Sequence, residues 1–246
     1  MTIDALSALV ERDQDHECGG FGRTGACVKV AAVADLPSRF GTFRLVGFWN
    51  NRDAKEHVAM VAGDVLNGHD VPVRVHSECL TGEVMGSLRC DCRDQLTAGL
   101  EAIAQAGRGV LLYMRQEGRG IGLLNKIRAY ALQDQGLDTV EANLALGFRD
   151  DERDYSIAAH MLHSLDIKSV KLITNNPEKL RQLAEHKVVV SGRIPHLIPP
   201  NEFNRFYLQT KGTKSGHLDL GRTRLAEQGD NAQVEGAAAA GPTEKP

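Results

Sequence analysis

The sequence predicts an α/β fold: a mixed sheet with flanking helices, in which antiparallel N-terminal strands are followed by α/β units in a single domain. Three observations predict it. The first half contains short segments of alternating or β-rich pattern, and the period changes to a helical one from Asp94 onward. Strand and helix patterns then alternate, which is typical of α/β proteins.

The first four predicted strands are bounded by Gly, Pro and Asn, the usual residues of turns. They cover residues 28–33, 41–49, 57–63 and 71–76. Because they follow one another over short connections, they predict a largely antiparallel platform.

The second half begins with a helix whose apolar face holds Leu96, Leu100 and Ile103 and which Gly107 ends. A strand at 109–114 and a glycine-rich loop follow. The pattern then predicts helices at about 123–135 and 155–165, a strand at 170–174, and a helix that begins at Pro177.

The segments divide the chain into a poorly ordered leader (1–27), one catalytic domain (28–220) and a disordered tail (221–246) that is rich in Ala, Gly, Glu and Pro. We find neither an internal repeat nor a linker inside the domain. The composition, 42% hydrophobic and 25% charged, is ordinary for a soluble enzyme.

The net charge and the length of the apolar runs indicate which partners and which location to expect. A net charge of −3 gives no basic field for a nucleic acid polymer, and no apolar run is long enough to span a membrane. Since no secretory leader is recognisable either, we expect a cytoplasmic protein.

Three cysteines, Cys79, Cys90 and Cys92, predict a metal site. In an extended segment residues i and i+2 point to the same side, so Cys90 and Cys92 can meet one ion. Three thiolates without an obvious fourth protein ligand are typical of catalytic zinc, which keeps a position for water. The alternative is that the three thiols are buried core residues.

The other two cysteines, Cys18 and Cys27, lie in a glycine-rich segment near His16. They could form a second metal site, but ordinary free thiols are the preferred interpretation. Without a secretory signal, five cysteines favour ligands or free thiols over disulfides.

A glycine-rich loop after the strand at 109–114 predicts a site for an anion. Gly118, Gly120 and Gly122 allow backbone amides to approach a phosphate near a helix N-terminus, and Arg115 and Arg119 add positive charge. A tight turn is the alternative. Glu117 could pair with the two adjacent donors of guanine, its ring N1–H and its amino group, unless it is a solvated loop acid.

Two further segments carry candidate polar residues. Thr174 and Lys179 lie where a strand runs into a helix and could bind phosphate, although Asn176 before Pro177 is also an ordinary helix cap. In the charged segment 146–155, Asp151 could act as a general base, and Arg153 could act beside a phosphate or a leaving group. The alternative is a solvated helix start.

Taken together, five motifs in order resemble the GTP cyclohydrolase II family, which opens the imidazole ring of GTP at the start of riboflavin synthesis. The similarity runs from about residue 30 to 218. The motifs are residues 74–82, 89–92, 115–123, 126–133 and 174–177.

The resemblance implies one Zn²⁺ on Cys79, Cys90 and Cys92, a Mg²⁺ on the triphosphate, and a homodimer. It implies formate, pyrophosphate and 2,5-diamino-6-ribosylamino-4(3H)-pyrimidinone 5′-phosphate as products. The chain is too short for the dihydroxybutanone phosphate synthase domain that many relatives carry in front, so we expect one reaction.

The resemblance also assigns residues. Asp151 matches the family's proton acceptor, Arg153 its proposed nucleophile, and Tyr130 a tyrosine near carbon 8 whose presence favours complete turnover. Because a guanidinium stays protonated, stabilising the departing pyrophosphate is the easier role for Arg153. Positions that match GTP contacts are Arg74, Val75, His76, Ser77, Glu78, Gln95, Glu117, Gly118, Arg119, Thr139, Thr174 and Lys179.

Two alternatives stay open. A specialised paralogue would stop at the formamidopyrimidine or serve a secondary-metabolite pathway, and Tyr130 argues against only the first. A non-catalytic nucleotide sensor would hold structural zinc with a fourth protein ligand such as His76. One departure from the family is the pair Arg93 and Asp94, where relatives usually have Gly after Cys-Asp-Cys.

Overall fold

A seven-stranded mixed sheet organises the computed structural model, which describes residues 3–18, 25–205, 208 and 218. Within these residues the strand order is β1-β2-β3-β5-β4-β6-β7. The strands are β1 (Val28–Ser38), β2 (Gly41–Asn50), β3 (His57–Ala62), β4 (Val71–Ser77), β5 (Gly109–Met114), β6 (Val170–Ile173) and β7 (Val190–Ile194).

Helices cover both faces of this sheet, as the α/β prediction requires. They are α1 (Ile3–Gln14), α2 (Leu80–Glu83), α3 (Cys92–Gln105), α4 (Leu123–Gln133), α5 (Thr139–Ala145), α6 (Ser156–Ser164) and α7 (Pro177–Glu185). A 3₁₀ turn, Glu117–Gly120, precedes α4. The predicted strands and the helices α3, α4, α6 and α7 are confirmed within a few residues, whereas α1, α2, α5 and β7 were not predicted.

The antiparallel half consists of β1, β2, β3 and β5. Strand β1 continues beyond its predicted end at residue 33, because it forms a long hairpin with β2 in which Ser38 pairs with Gly41. Gly41 has φ +133°, a conformation that residues with a side chain rarely adopt.

The other half is parallel: β5 runs beside β4, β4 beside β6, and β6 beside β7. The expectation of an antiparallel platform is therefore wrong for β4, which does not pair with β3. The reason is the crossover through α3, which returns the chain in the same direction and places β5 between β3 and β4. The carboxyl ends of β4, β5 and β6 consequently share one edge.

Alternating side chains of β5 divide the core between the two faces of the sheet. Val110 and Leu112 belong to the larger cluster, which α1 and α6 cover, whereas Leu111 packs in a smaller cluster with Leu100 and Ile103 of α3. All three β5 residues are completely buried. The sheet is thus covered on both faces, and its polar site lies at the strand ends.

The N-terminal segment contains the ordered helix α1, a difference from the predicted leader. Leu6 and Leu9 are buried in the larger cluster, and Asp13 accepts a hydrogen bond from the backbone N of Val30 at 2.8 Å. The tail at 221–246 lies outside the described residues.

The preference for free thiols at Cys18 and Cys27 is wrong, because a disulfide joins them. Only eight residues separate the two cysteines in sequence, and the side chain of Asn51 binds the backbone at both ends of this loop. Among the described residues, none of the helices has the length and hydropathy needed to cross a membrane.

Candidate active site

A cavity opens at the edge where β4, β5 and β6 end, the usual ligand position in such sheets. It brings together most residues that the sequence singled out. These are Arg74, His76, Ser77, Glu78, Cys79, Cys90, Cys92, Gln95, Glu117, Gly118, Arg119, Tyr130, Thr139, Arg153, Thr174 and Lys179.

Two predicted residues do not line the cavity. The side chain of Val75 is buried in the core, and its carbonyl accepts a hydrogen bond from Lys179 Nζ at 2.7 Å. Asp151 lies behind Arg153, whose Nε donates to Asp151 Oδ1 at 2.8 Å. Burial alone would raise the pKa of Asp151, but the hydrogen bond and charge of Arg153 lower it.

The three predicted metal ligands converge, with their sulfur atoms all within 4.8 Å of one another. Cys79 follows β4, and its Sγ lies 3.6 Å from Cys90 Sγ. Cys92 is the first residue of α3, so Cys90 and Cys92 meet through a turn into a helix and not along an extended strand as predicted. Hydrogen bonds to Cys79 and Cys90, together with burial, raise the pKa of Cys92.

Gly82, which has no side chain, leaves space for the sulfur atoms of this cluster. A Cβ on Gly82 of α2 would lie 2.8 Å from Cys90 Sγ and 3.2 Å from Cys79 Sγ. The first of these distances is too short for a real contact. Glycine therefore allows α2 to pack directly on the sulfur atoms.

The pKa values of Cys79 and Cys90 are shifted in opposite directions. Hydrogen bonds from Cys90 and Cys92, together with the nearby charge of Lys126, lower the pKa of Cys79. The hydrogen bond between Cys90 and Cys79 raises the pKa of Cys90 to about 11. Lys126 Nζ donates to Cys79 Sγ at 3.0 Å. This arrangement of soft anionic donors fits a thiophilic divalent ion such as Zn²⁺.

No fourth His, Cys, Asp or Glu ligand atom joins the cluster within 4.8 Å in the part of the chain that the structure describes. His76, the candidate for such a ligand, instead donates from Nε2 to Glu83 Oε1 at 2.7 Å. Burial lowers the pKa of His76, so its ring is neutral.

Glu83 is a residue that sequence reasoning missed. Besides His76, its carboxylate accepts hydrogen bonds from the backbone N of Cys79 at 3.0 Å and from the Tyr113 hydroxyl at 2.6 Å. Burial raises the pKa of Glu83 to about 7. Its position directly after the motif at 74–82, four residues after Cys79, was the available signal.

The carboxylate of Glu117 is almost fully engaged within the protein. Its Oε1 accepts from Gly118 N at 2.8 Å and from Lys126 Nζ at 2.7 Å, and its Oε2 accepts from Leu80 N at 2.7 Å. Two lone pairs on each oxygen leave one acceptor position, on Oε2. A guanine that used both of its donors would have to displace one of these partners.

The glycine-rich loop packs against the charged segment that contains Asp151 and Arg153. Gly120, with φ +95°, lies so close to Glu152 that a Cβ there would be 3.0 Å from the Glu152 carbonyl. The Glu152 backbone N donates to Arg119 O at 3.0 Å, and Arg119 also pairs with Asp150. The two predicted motifs therefore form one wall.

Positive charge lines a second wall of the cavity. Buried Arg74 donates to Gln95 Oε1 at 2.6 Å and to Ile173 O at 3.2 Å. Desolvation lowers the pKa of Arg74 to about 10, so it remains a cation at neutral pH. Lys179, in the first turn of α7, lies with Arg74 in this wall and is also buried.

His196 completes this wall and was not predicted, since it belongs to none of the motifs. Its Nε2 donates to Gln95 O at 2.9 Å, and its backbone N donates to Asn175 Oδ1 at 3.0 Å. Desolvation, reinforced by the charge of Arg74, lowers the pKa of His196 to about 3.

Comparisons with known proteins show the family to which this chain belongs. The family model described as GTP cyclohydrolase II matches residues 29–195, which include all the residues that line the cavity except His196, Ile198 and Leu208. The chain belongs to the GTP cyclohydrolase II family. It is an enzyme of that kind and acts in riboflavin biosynthesis.

Relatives that consist of this domain are similar over nearly their whole length. A GTP cyclohydrolase-2 of Picrophilus torridus is 59% identical over 191 residues, 78% of this chain and 99% of that protein. One from Aeromonas hydrophila is 56% identical over 191 residues, 78% of this chain and 97% of that protein. Riboflavin biosynthesis protein RibBA of Bacillus mycoides is 58% identical over 183 residues, 74% of this chain but 46% of its own.

The charged pair that follows Cys92 does not disturb this GTP cyclohydrolase II cavity. Arg93 and Asp94 are exposed on α3. The Arg93 guanidinium donates to the carbonyl of Glu83 at 2.8 Å and so binds the end of α2. This hydrogen bond joins α3 to α2 outside the lining of the cavity.

Proposed function

We propose that this GTP cyclohydrolase II is zinc-dependent and opens the imidazole ring of GTP at carbon 8. The products would be formate, pyrophosphate and 2,5-diamino-6-ribosylamino-4(3H)-pyrimidinone 5′-phosphate. The observation that carries the proposal is the convergence of Cys79, Cys90 and Cys92 without a fourth ligand among the described residues.

Cys79, Cys90 and Cys92 would hold the Zn²⁺. When bound by three protein ligands, zinc supplies a water whose pKa is about 7 and which can add to an electron-poor carbon. Lys126 offsets the negative charge of the thiolates, and Gly82 keeps α2 close to them. The nucleotide sensor with structural zinc requires a fourth protein ligand, and His76 is engaged with Glu83 instead.

The two walls of the cavity would bind the nucleotide between them. Arg74, Lys179 and Arg119 offer cations to the triphosphate, which would also carry Mg²⁺. The free acceptor position of Glu117 Oε2 suits one guanine donor. A carboxylate at this place would disfavour adenine, whose corresponding ring nitrogen is an acceptor.

Arg153 would stabilise the departing pyrophosphate. Its guanidinium lines the cavity and is held by Asp151, whose low pKa keeps that carboxylate charged. A charged Asp151 can receive a proton, but only in competition with the Arg153 ion pair. Asp151 would therefore position Arg153 in the resting enzyme and accept a proton when that pair loosens.

Tyr130 would support complete release of formate. Its hydroxyl lies 3.4 Å from Thr81 Oγ1 and its ring faces the cysteine side of the cavity, with Lys126 Nζ 5.7 Å from the ring centroid. Burial raises the pKa of Tyr130 to about 12, so the hydroxyl stays protonated and can donate. A paralogue that stops at the formamidopyrimidine would not need this donor.

The central experiment is incubation of the pure protein with GTP, Mg²⁺ and Zn²⁺. We expect GTP absorbance to fall while formate and pyrophosphate are released in equal amounts, and the product mass to match the diaminopyrimidinone. Intact GTP would contradict the proposal, and a formylated product would favour the specialised paralogue.

Replacement of one ligand tests the role of the metal. Cys90→Ser should lower ring opening by at least about 10³-fold, because the metal provides the nucleophile, while equilibrium dialysis still detects GTP binding. Glu101→Gln, which changes an exposed residue of α3 that does not line the cavity, is the control. Formate release by Cys90→Ser at the wild-type rate would refute a catalytic metal at this site.

We further propose a cytoplasmic homodimer, as the resemblance to the family implies. Light scattering of the full chain should give twice its 26.8 kDa mass. A mass of 26.8 kDa at working concentration would contradict the dimer.

A further inference from the structure

A second group of metal-ligand atoms lies between the end of α1 and the start of β1. The donor atoms of His16, Cys18 and Cys27 are all within 4.8 Å of one another. Cys18 and Cys27 form the disulfide, and His16 Nε2 lies 3.1 Å from Cys27 Sγ. None of these residues lines the catalytic cavity.

Asn51 binds the backbone around this group through hydrogen bonds that do not involve the sulfur atoms. Its side chain accepts from Cys27 N at 2.8 Å and donates to Cys18 O at 3.3 Å and to Gly25 O at 3.0 Å. Its own backbone N donates to Cys27 O at 3.1 Å. Since Asn51 is buried, these bonds would keep both cysteines close after the disulfide is reduced.

An open cavity lies beside the group. Its wall contains His16, Cys18, Asp15 and Glu17, together with Gln14, Lys29 and Trp49. Because His16 and Cys18 line this open cavity, a water can reach them as a fourth ligand. The site is open enough for a hydrated cation to enter.

We propose that His16, Cys18 and Cys27, in their dithiol form, bind a Zn²⁺ ion. Two sulfur donors and one imidazole nitrogen are a common zinc ligand set. Tetrahedral Zn–S bonds of about 2.3 Å place two sulfur atoms about 3.8 Å apart. Side-chain rotation of the cysteines achieves this separation on the backbone that Asn51 fixes, so zinc and the disulfide exclude each other.

Reduction must precede metal binding. With a phosphine reductant, the S–S bond is cleaved, each sulfur takes a proton from water, and the phosphine becomes a phosphine oxide with the water oxygen. Two thiols result for each disulfide. Zinc binding then releases the two thiol protons as the thiolates coordinate the ion.

The test is the zinc content of the full-length protein after reduction by a phosphine and removal of free metal. We expect reduced wild type to hold one equivalent more zinc than reduced Cys27→Ser. The oxidised wild type should hold the same amount as Cys27→Ser. Equal zinc in reduced wild type and reduced Cys27→Ser would overturn the proposal.

Because the result is a difference between two proteins, it does not depend on whether the catalytic cysteines hold zinc. His16→Ala should lower the affinity of the additional equivalent, whereas His69→Ala, an exposed histidine outside this cavity, should not. If Cys27→Ser is poorly folded, Co²⁺ titration of reduced wild type provides the second measurement. Cys79, Cys90 and Cys92 contribute the same thiolate-to-cobalt band in both proteins, so a weaker band in reduced His16→Ala than in reduced wild type supports the site. Equal bands in the two proteins contradict it.

Discussion

Lys126 connects the two halves of the catalytic cavity through its ammonium group. Nζ donates to Cys79 Sγ at 3.0 Å on one side and to Glu117 Oε1 at 2.7 Å on the other. Lys126 is buried, and its charge offsets those of a thiolate and a carboxylate. One cation therefore couples the proposed metal ligands to the carboxylate that we propose for guanine.

Lys126→Met should lower kcat/KM for GTP by about 10²-fold, because two buried anions would lose their shared cation. Steady-state kinetics of formate release measures the effect, with circular dichroism as the check on folding. Lys168→Met, which changes an exposed lysine, is the control. Activity of Lys126→Met within twofold of wild type would show that the cation is dispensable.

Protonation of His196 makes the free energy of unfolding depend on pH. Its folded-state pKa of about 3 is below the ordinary value for histidine, so the unfolded chain binds more protons between these two values. The contribution of the neutral imidazole is therefore complete above about pH 6.5 and is lost as the pH falls.

Urea unfolding between about pH 7 and pH 5 tests this term. The free energy of unfolding of wild type should fall by about 1 to 2 kcal/mol more than that of His196→Asn, since asparagine does not titrate. Parallel pH dependence of the two proteins would contradict the assignment. Other buried histidines affect both proteins equally and cancel in this comparison.

At the scale of single elements, the short helix α2 packs directly against the cysteine cluster. It begins after Cys79, contacts two sulfur atoms through Gly82, and is bound at its end by Arg93. Its acidic residue Glu83 binds the backbone N of Cys79. The position of the cluster thus depends on the packing of a helix that has only one turn.

Gly82→Ala should lower zinc affinity at least about tenfold, the usual effect of disturbing the surroundings of a metal site. The added methyl group would have to displace Cys90 Sγ, from which it would be 2.8 Å away. Competition with a chromophoric chelator measures the affinity. Gly192→Ala, where the new Cβ makes an ordinary contact at 3.7 Å, should behave as wild type. Unchanged affinity in Gly82→Ala would show that α2 can move away at little cost.

At the scale of the whole molecule, α1 packs on the catalytic domain and belongs to its larger core. Leu6 is completely buried, and Arg12 pairs with Asp166 after α6. The match to the family begins at residue 29, so α1 precedes the matched part of the chain. The N-terminal segment therefore contributes to the stability of the domain.

Leu6→Ala should reduce the free energy of unfolding by about 3 kcal/mol, because it leaves a cavity in the core. Urea denaturation measures the loss. Leu124→Ala is the control, since Leu124 is 72% exposed and its truncation should cost less than about 0.5 kcal/mol. Equal stability of the two variants would mean that α1 is not bound to the core in solution.

The sequence alone was sufficient for the class of fold and for most elements of the domain. The strand at Gly109–Met114 was predicted with its bounds, because a β-rich run between glycines has few other interpretations. α5 was missed although Asp138 and Glu141 form a capping box, since the seven-residue helix is too short to show a period. α1 was missed because the burial of its apolar residues, among them Leu6 and Leu9, depends on contact with β1.

What the sequence determined by itself was the chemistry available: three clustered cysteines, a glycine-rich loop, and the family motifs that predict GTP as substrate. Only the tertiary structure decided which groups meet. Glu83, Lys126 and His196 join the site, and Cys18 pairs with Cys27, through contacts between residues that strands and loops bring together. The physical reason is that residue types and short-range periodicity are local, whereas hydrogen bonds, ion pairs and burial depend on the packing of distant segments.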